Sequence, residues 1–407
     1  MTDDALSRAP SELNMVNSPL TGTSDTKSVA QRTELPTKRM IRNAIPAHCF
    51  EHSLPSALGL LLRDLAIVAT LGTFATVCLR TSNLRLADML GWVLYSFWQG
   101  TAFTGLWVLA HECGHGGFSV STALNDIIGW TLHSMLLVPY FSWQFSHAKH
   151  HAKTNHLVEG ETHNPATKAD LQRSGLFRLH QVIGDDAFAV QQLILHLVFG
   201  WPAYLLFNVT GGRRAHGGKP ITSTLDHFRP SSKLFPPSWQ RRVLISSAGV
   251  LLMLVILVSL GVRFGGLYVF LMYTPSYLVC NGWLVLYTWL QHTSEDIPHY
   301  GDEEWTWVKG ALSTIDRPYS ECFSIFDSMH HHIGSTHVFH HLFSDAPCYK
   351  AVEATAHLKS YLAPKGLYNY DGRPIIQAVW DTAKRCHYVE AAKGTQYFKA
   401  INHHRGR

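Results

Sequence analysis

Three long stretches of the chain contain no Asp, Glu, Lys or Arg, and they limit the folds that it can adopt. They run from Met89 to Ala110, from Val243 to Val262 and from Gly265 to Leu290. Each is long enough for a helix to cross the hydrocarbon core of a bilayer, which takes about 20 residues. A fourth stretch, Ala57 to Leu79, qualifies although two charged residues lie near its start. The sequence therefore predicts an all-α integral membrane protein with four transmembrane helices.

Four spans arranged as two hairpins place all the large polar regions on one side of the membrane. The basic residues Arg32, Lys38, Arg39 and Arg42 precede the first span, so the positive-inside rule predicts that this side is the cytosol. The seven cysteines include no C-x-x-C pair, which is typical of a reducing compartment. The predicted regions are a cytosolic tail (1–56), a hairpin (57–110), a first part of a cytosolic helical cap (111–242), a second hairpin (243–290) and a second part of the cap (291–407).

Three segments have weaker patterns. Ile127 to Phe141 is short for a span, and Ala187 to Val209 is interrupted by His196 and Pro202, so both are predicted to lie at the membrane interface. The first 45 residues are polar, rich in Ser and Thr, and lack a periodic apolar face. This composition predicts a disordered tail.

Three histidine clusters lie within the predicted cap. In each cluster the later histidines follow the first by three or four residues, so a helix would point them toward one place. His292 directly follows the last span and is a possible ninth member. The run from His330 to His332 is ambiguous, because consecutive residues point in different directions on a helix. The three clusters contain His111 and His115; His147, His150 and His151; and His337, His340 and His341.

Eight or nine imidazoles are more than one metal ion requires. Nitrogen ligands admit Zn, Cu, Fe or Ni, so the ligand type alone does not select the metal. A tetrahedral zinc site takes four ligands, and the larger number indicates two ions with open positions. This number of ligands favours the hypothesis of two irons that activate dioxygen beside the membrane.

Two other classes of protein are alternatives to this hypothesis. His111 to His115 also matches the H-E-x-x-H motif, in which Glu112 would be the base of a zinc protease. That interpretation leaves the other clusters unexplained, and Glu112 can equally orient a ligand imidazole. A metal transporter would need a series of polar ligands within the spans, which the charge-free stretches do not offer.

The chain resembles the membrane-bound fatty acyl desaturases, and within them the branch of oleate and linoleate desaturases. The resemblance extends from about Phe50 to Ala392. The segments that carry it are His111–His115, Gly129–Tyr140, His147–His151, Gln291–Thr293, Asp316–Arg317, His337–Phe343 and Val352–Thr355.

The resemblance implies a di-iron centre ligated by the eight clustered histidines and His292. It also implies oxygen-dependent desaturation of an acyl lipid or acyl-CoA that already has a double bond, with Δ12 desaturation of oleate expected first. An unactivated methylene has no acidic proton, so a metal–oxygen oxidant is chemically appropriate. Membrane lipids are expected partners and nucleic acid is not. The endoplasmic reticulum is the expected location, with the catalytic side cytosolic.

Two departures from the plant relatives border the third cluster and the last span. The run Gly334-Ser-Thr336 lacks an Asp, and Ser294 to Pro298 lacks a His that oleate desaturases commonly have. Both Δ12 and ω3 desaturation therefore stay open, as do hydroxylation, epoxidation and triple-bond formation.

Electrons must come from a separate donor, because the chain has neither a dinucleotide-binding fingerprint nor a fused cytochrome b5 motif. The resemblance implies cytochrome b5 and its reductase, or ferredoxin in a plastid. The net charge of +5 could attract an acidic donor, including around Lys149 and Lys153, or these charges could face lipid headgroups.

Overall fold

The computed structural model describes residues 35–81, 85–218, 221, 225–319 and 324–401. Residues 1–34 of the predicted disordered tail lie outside the described residues. From Lys38 the prediction of disorder is wrong, because a short helix begins there and Thr37 caps it by accepting a hydrogen bond from the Met40 amide. Ile41 and Ile45 are four residues apart and both are buried. Because most residues of the tail are polar, its composition did not indicate this small apolar face.

The amino-terminal half is helical, and its longest helix leads directly into the first histidine cluster. The described helices of this half are α1 (Lys38–Asn43), α2 (Leu54–Cys78), α3 (Leu86–His115), α4 (Thr122–Met135), α5 (Tyr140–Ala152), α6 (Lys168–Ser174), α7 (Leu176–Ile194) and α8 (Gly200–Phe207), with short 3-10 helices at Ala47–Phe50 and His216–Gly218 and a π-helical turn at Leu195–Phe199.

The carboxy-terminal half has two long helices followed by shorter ones. The described helices are α9 (Gln240–Phe264), α10 (Gly266–Leu290), α11 (Trp307–Leu312), α12 (Ile325–Met329), α13 (His337–Leu342), α14 (Ala351–Leu362) and α15 (Ile375–Arg385), with 3-10 turns at Pro237–Trp239, Cys348–Lys350 and Ala363–Lys365. Two short antiparallel strands, β1 (His299–Tyr300) and β2 (Thr395–Gln396), pair within this half.

Four helical segments of the described chain are long and apolar enough to cross a membrane. Three of them, Leu54–Cys78, Pro237–Phe264 and Gly266–Leu290, coincide with predicted spans. The fourth is Leu176–Phe207, which contains most of the segment Ala187 to Val209 that we predicted to be interfacial, and α3 is not among them. Gly184 interrupts the fourth segment with φ of 80° and ψ of 172°. The arrangement of spans as two hairpins stays a prediction.

Helix α3 falls short in hydropathy because its carboxy-terminal half, from Gln99 onward, is interior and carries uncharged polar side chains. Gln99, Thr101 and Thr104 are all buried within it. The Thr101 and Thr104 hydroxyls donate to carbonyls four residues earlier, which satisfies them without water. Gly100 allows close packing, since a Cβ there would lie 2.5 Å from the Ser276 carbonyl oxygen of α10. Packing of this half of the helix against its neighbours explains its polar residues.

Behind the third histidine cluster, α1, α13 and α14 share an apolar core. Val338 and Phe339 of α13 pack there with Ile41 of α1 and Leu358 of α14, and all four are at most 1% exposed. The opposite face of α13 carries His337, His340 and the following His341. The core therefore holds the back of the helix, and its histidines face the interior of the protein.

Candidate metal centre

The structure brings all nine predicted histidines together, in two adjacent groups. In the first group, one ring nitrogen of each member lies within 4.8 Å of the corresponding nitrogen of every other member. The first group contains His111, His115, His147, His151 and His340.

The second group is built in the same way from His150, His292 and His341. His337 adjoins it, since its Nε2 lies 3.0 Å from Nε2 of His292. His150 Nε2 approaches the same nitrogen from 3.2 Å. His292, which sequence spacing alone left open, is thus in the middle of the second group.

The two H-x-x-H-H motifs explain why there are two groups. Adjacent helical residues point about 100° apart, so neighbouring histidines cannot face the same point. His150 faces the second group and His151 the first, while His340 faces the first and His341 the second. Each motif therefore contributes to both groups.

The nitrogen positions suit metal ions. Two ligands at right angles, each about 2.1 Å from one ion, have nitrogens about 3.0 Å apart. His147 and His151 approach this spacing, with their Nε2 atoms 3.1 Å apart. Nε2 of His115, His340 and His341 is buried and has no hydrogen-bond partner. Buried nitrogens without partners are uncommon, and coordination of a cation would satisfy them. The residues present therefore fit a pair of metal ions.

Several of these imidazole rings are held in orientation by a hydrogen bond at Nδ1. His111 Nδ1 lies 3.0 Å from Oε1 of Glu112, and His150 Nδ1–H donates to the Glu161 carbonyl oxygen at 2.7 Å. His341 Nδ1 lies 3.1 Å from Oγ1 of Thr154. Such hydrogen bonds select the ring tautomer that leaves Nε2 free for a metal. Sequence spacing did not indicate Thr154 or Glu161, because their side-chain types are common and they lie in no motif.

Glu112 has the position of an orienting group. Its side chain is 2% exposed, and its Oε1 is also 3.9 Å from Nδ1 of His340. A zinc protease needs this carboxylate free to act on a water molecule. Here the carboxylate lies between two imidazoles of the first group, which favours the orienting role over the protease alternative.

Asp316 positions the third cluster. It is fully buried, and its carboxylate accepts a hydrogen bond of 2.7 Å from the Val338 amide in the first turn of α13. Burial raises the pKa of Asp316 to about 7. Gln291, beside His292, donates to the Gly334 carbonyl oxygen at 2.9 Å and joins the end of α10 to the loop before α13. These contacts fix the position of α13 relative to Asp316 and to the end of α10.

Aromatic rings cover the first group. The Trp143 ring stacks on His147 with centroids 4.5 Å apart and an interplanar angle of 20°. Trp107 stacks on His111 at 5.6 Å. Both indoles are buried. They exclude water from this face of the site.

Burial also keeps the imidazoles neutral. It lowers the pKa of His150 to about 4, and it holds the pKa values of His292 and His337 well below their usual range. Neighbouring imidazoles add to the effect for His292 and His337 by mutual repulsion of their charged forms. Neutral imidazole is the form that binds metal, so these histidines can bind cations at neutral pH without first losing a proton.

The run from His330 to His332 does not join either group. His330 Nε2–H donates to the Thr101 carbonyl oxygen at 3.1 Å and its Nδ1 accepts from the Tyr287 hydroxyl at 2.7 Å. His331 lies 2.7 Å from the carboxylate of Asp64. These rings link the cap to α2, α3 and α10, which is a structural role.

Lys149 and Lys153 are not free to attract an acidic partner. Lys149 lies 3.0 Å from Glu161, and Lys153 lies 2.6 Å from Glu159. Their charges are compensated locally. The expectation of a basic docking surface around them is therefore weakened.

Comparison with known proteins identifies the family. The sequence model of the fatty acid desaturases matches residues 88–372. The chain belongs to the fatty acid desaturase family. It is therefore an oxidoreductase that acts on fatty acids, and the apolar helices fit a membrane protein.

Similar proteins occur in fungi and plants. A Delta(12) fatty acid desaturase of Mortierella alpina is 38% identical over 374 residues, which cover 89% of this chain and 90% of the relative. A Delta(12)-oleate desaturase of Trichosanthes kirilowii is 38% identical over 365 residues, covering 90% and 94%. An omega-6 fatty acid desaturase, endoplasmic reticulum, of Brassica juncea is 37% identical over 350 residues, covering 86% of each chain.

Proposed function

We propose that this fatty acid desaturase introduces a cis double bond at the Δ12 position of an oleoyl group. The observation that carries the proposal is the meeting of nine histidines in two groups within a chain that is 38% identical to Delta(12) desaturases over about nine-tenths of its length. Two irons held by these groups, when bound, supply the oxidant made from dioxygen that removes two hydrogens from adjacent methylenes.

The proposed ligands form the two groups already described. The five histidines of the first group would hold one iron. His150, His292, His337 and His341 would hold the other. Glu112, Thr154 and the Glu161 carbonyl keep the ligand rings oriented. The buried indoles of Trp107 and Trp143 exclude water, which limits side reactions of the oxidant.

An apolar cavity of about 790 Å³ is suited to an acyl chain. Its volume is within the range of ordinary ligand pockets. Leu106 of α3 lines it, and the next residue of α3, Trp107, stacks on His111, so the same helix contributes to the cavity and to the first group. The lining includes Val68 and Gly72 of α2, Leu106 of α3, Leu132 of α4, Leu257 of α9 and Met272 of α10.

The remaining parts of the proposal concern location and electrons. We propose that the chain crosses the endoplasmic reticulum membrane with the histidines on the cytosolic side. The basic residues before the first span and the name of the Brassica juncea relative, which includes the endoplasmic reticulum, support this proposal. Cytochrome b5 with its reductase is the proposed source of electrons.

Expression in a yeast host that makes oleate but no linoleate tests the proposed activity. Gas chromatography with location of double bonds should find linoleate with the wild-type chain and none with His150→Ala. A double bond at the ω3 position of supplied linoleate, without formation of linoleate from oleate, would replace Δ12 by ω3 specificity. A hydroxylated, epoxidised or acetylenic product would contradict desaturation. No new fatty acid at all would reject the proposal.

A further inference from the structure

A partly exposed tryptophan is connected to a proposed iron ligand through two hydrogen bonds. Trp305 lies just before α11, and its indole Nε1–H donates to the Thr154 carbonyl oxygen at 2.9 Å. The Thr154 hydroxyl oxygen is 3.1 Å from Nδ1 of His341. Within Thr154, three covalent bonds join the carbonyl carbon to the hydroxyl oxygen. The connection from the indole to the ligand ring is therefore short.

The hydrogen-bond directions along this connection are consistent with metal binding by His341. The Thr154 hydroxyl donates to the His150 carbonyl oxygen at 2.8 Å, so its oxygen is free to accept from His341 Nδ1–H. His341 Nε2 is then the deprotonated nitrogen. That atom is buried without a hydrogen-bond partner, which is consistent with a nitrogen that binds metal.

The backbone is shaped to permit the contact between Trp305 and Thr154. A Cβ at Gly310 would lie 2.3 Å from the Thr154 carbonyl oxygen and 3.0 Å from Nε1 of the indole. No side chain fits there without moving one partner. The absence of a side chain at this position of α11 thus allows the hydrogen bond to form.

Other aromatic rings beside the ligands differ from Trp305 in exposure. Trp107 and Trp143 stack on His111 and His147, but both indoles are buried. Trp305 is only partly buried, and Lys153 Nζ lies over its ring, 4.9 Å from the centroid. A protein docked at the surface could therefore reach the Trp305 ring directly.

We propose that Trp305 is the point at which electrons enter the protein, and that Thr154 carries them to His341. This inference rests on the proposed iron pair. The partner is a one-electron redox protein whose cofactor edge is exposed at its surface. Each transfer oxidises the partner by one electron and reduces one ferric ion to the ferrous state, with no bond made or broken, and two transfers supply one desaturation. Electrons tunnel more readily through covalent and hydrogen bonds than through empty space.

Charge alone does not select this surface. Glu159 pairs with Lys153 at 2.6 Å, and Asp302 lies 3.3 Å from both Arg214 and His156. Charges of both signs surround the indole, so we expect a weak complex in which the position of the aromatic edge matters more than net attraction.

Anaerobic stopped-flow measurements on the full-length, iron-loaded protein test this inference. The probe is the reduced, soluble haem domain of cytochrome b5, and its oxidation is followed by haem absorbance. The variants are Trp305→Phe, which removes the indole N–H, and Gly310→Ala, which separates the indole from the Thr154 carbonyl. Trp239→Phe is the matched control, because that indole is also partly buried and donates to a backbone carbonyl, that of Phe141, at 3.1 Å.

We expect electron uptake from the haem domain to slow several-fold in Trp305→Phe and Gly310→Ala, and to be unchanged in Trp239→Phe. Iron content and reduction by dithionite, which needs no docking site, should match the wild type. Equal haem oxidation rates in all variants would overturn the inference. Loss of iron from Trp305→Phe would also overturn it, since Trp305 would then only support the ligand. A wild-type protein without iron that dithionite cannot reduce would instead reject the proposed function.

Discussion

Two histidine-rich segments, His330–His332 and His337–His341, lie close together in sequence but differ in what their rings contact. In the first segment the rings of His330 and His331 bond to groups on other helices. In the second, Nε2 of His340 and of His341 is buried without a hydrogen-bond partner and faces other imidazoles. Hydrogen-bonded rings hold the fold together, whereas buried rings with a free nitrogen are suited to binding metal.

Backbone conformation produces this difference. His331 and His332 have φ of 53° and 60°, so they form a left-handed turn and project in separate directions. His337, His340 and His341 lie on the side of α13 opposite its apolar core, where the helical repeat turns His340 toward the first group and His341 toward the second. The same residue type thus has different roles because the local backbone differs.

The largest expected effect comes from replacing a proposed ligand. His341→Ala removes one nitrogen from the second group, so we expect loss of iron from that group and loss of detectable linoleate in the yeast host. Elemental analysis of the purified variant and gas chromatography of the host lipids measure both. A variant with wild-type iron content and product would show that His341 is not a ligand.

Glu112→Gln tests the carboxylate between His111 and His340. The substitution keeps the size of the side chain but replaces the carboxyl group by an amide, and loss of such an orienting partner typically costs about 10–100-fold in metal affinity or activity. Competition of the iron with a chelator measures the affinity. Glu112→Asp, which keeps the carboxyl group on a shorter side chain, is the comparison. Unchanged affinity in Glu112→Gln would contradict the orienting role.

His331→Ala should leave the metal in place and reduce stability. Asp64 loses its contact with the ring but keeps Arg63 at 2.8 Å, so we expect a cost of about 1–3 kcal/mol for a buried polar group with one partner fewer. Thermal unfolding in detergent checks the stability. His332→Ala, at a half-buried ring, is the control. Loss of iron from His331→Ala would break the distinction between the two segments.

The prediction with the smallest effect at neutral pH concerns a buried histidine outside both segments, whose contribution grows only as the pH falls. His227 bonds to the Ser146 hydroxyl at 3.0 Å, and burial lowers its pKa to about 4. Below about pH 6.5 the unfolded chain binds a proton that the folded chain excludes. This ring should therefore lower the free energy of unfolding by about 1.4 kcal/mol per pH unit as the pH falls from about 6.5 to 4. Thermal unfolding of His227→Asn should show a shallower pH dependence, and an equal slope would contradict this assignment.

Sequence spacing could predict which histidines form the candidate site. It could not predict how they divide into two groups. Intervals of three and four residues predict that each cluster converges, and the structure brings together all nine predicted histidines. Spacing could not predict that His150 and His151 serve different groups, since this depends on where α5 lies relative to α13. The contacts of Thr154 and Glu161 with the rings could not be predicted from the sequence either, because only the tertiary fold brings these residues together.

The absence of charged residues and the average hydropathy select different helices as membrane spans. The absence of charge led to the prediction of α3 as a span, while its buried Gln99 and Thr101 lower its hydropathy. Leu176–Phe207 has the opposite character, with sufficient hydropathy but a break at Gly184. Sequence alone cannot separate an apolar helix that faces lipid from one that faces protein, because both exclude charge.

Metal analysis of the purified wild-type protein tests the central claim most directly. If nine imidazoles in two groups hold an iron pair, the protein should contain about two irons per chain, and His150→Ala and His341→Ala should each lower that number. One zinc per chain, or iron far below one per chain after expression with iron supplied, would contradict the account.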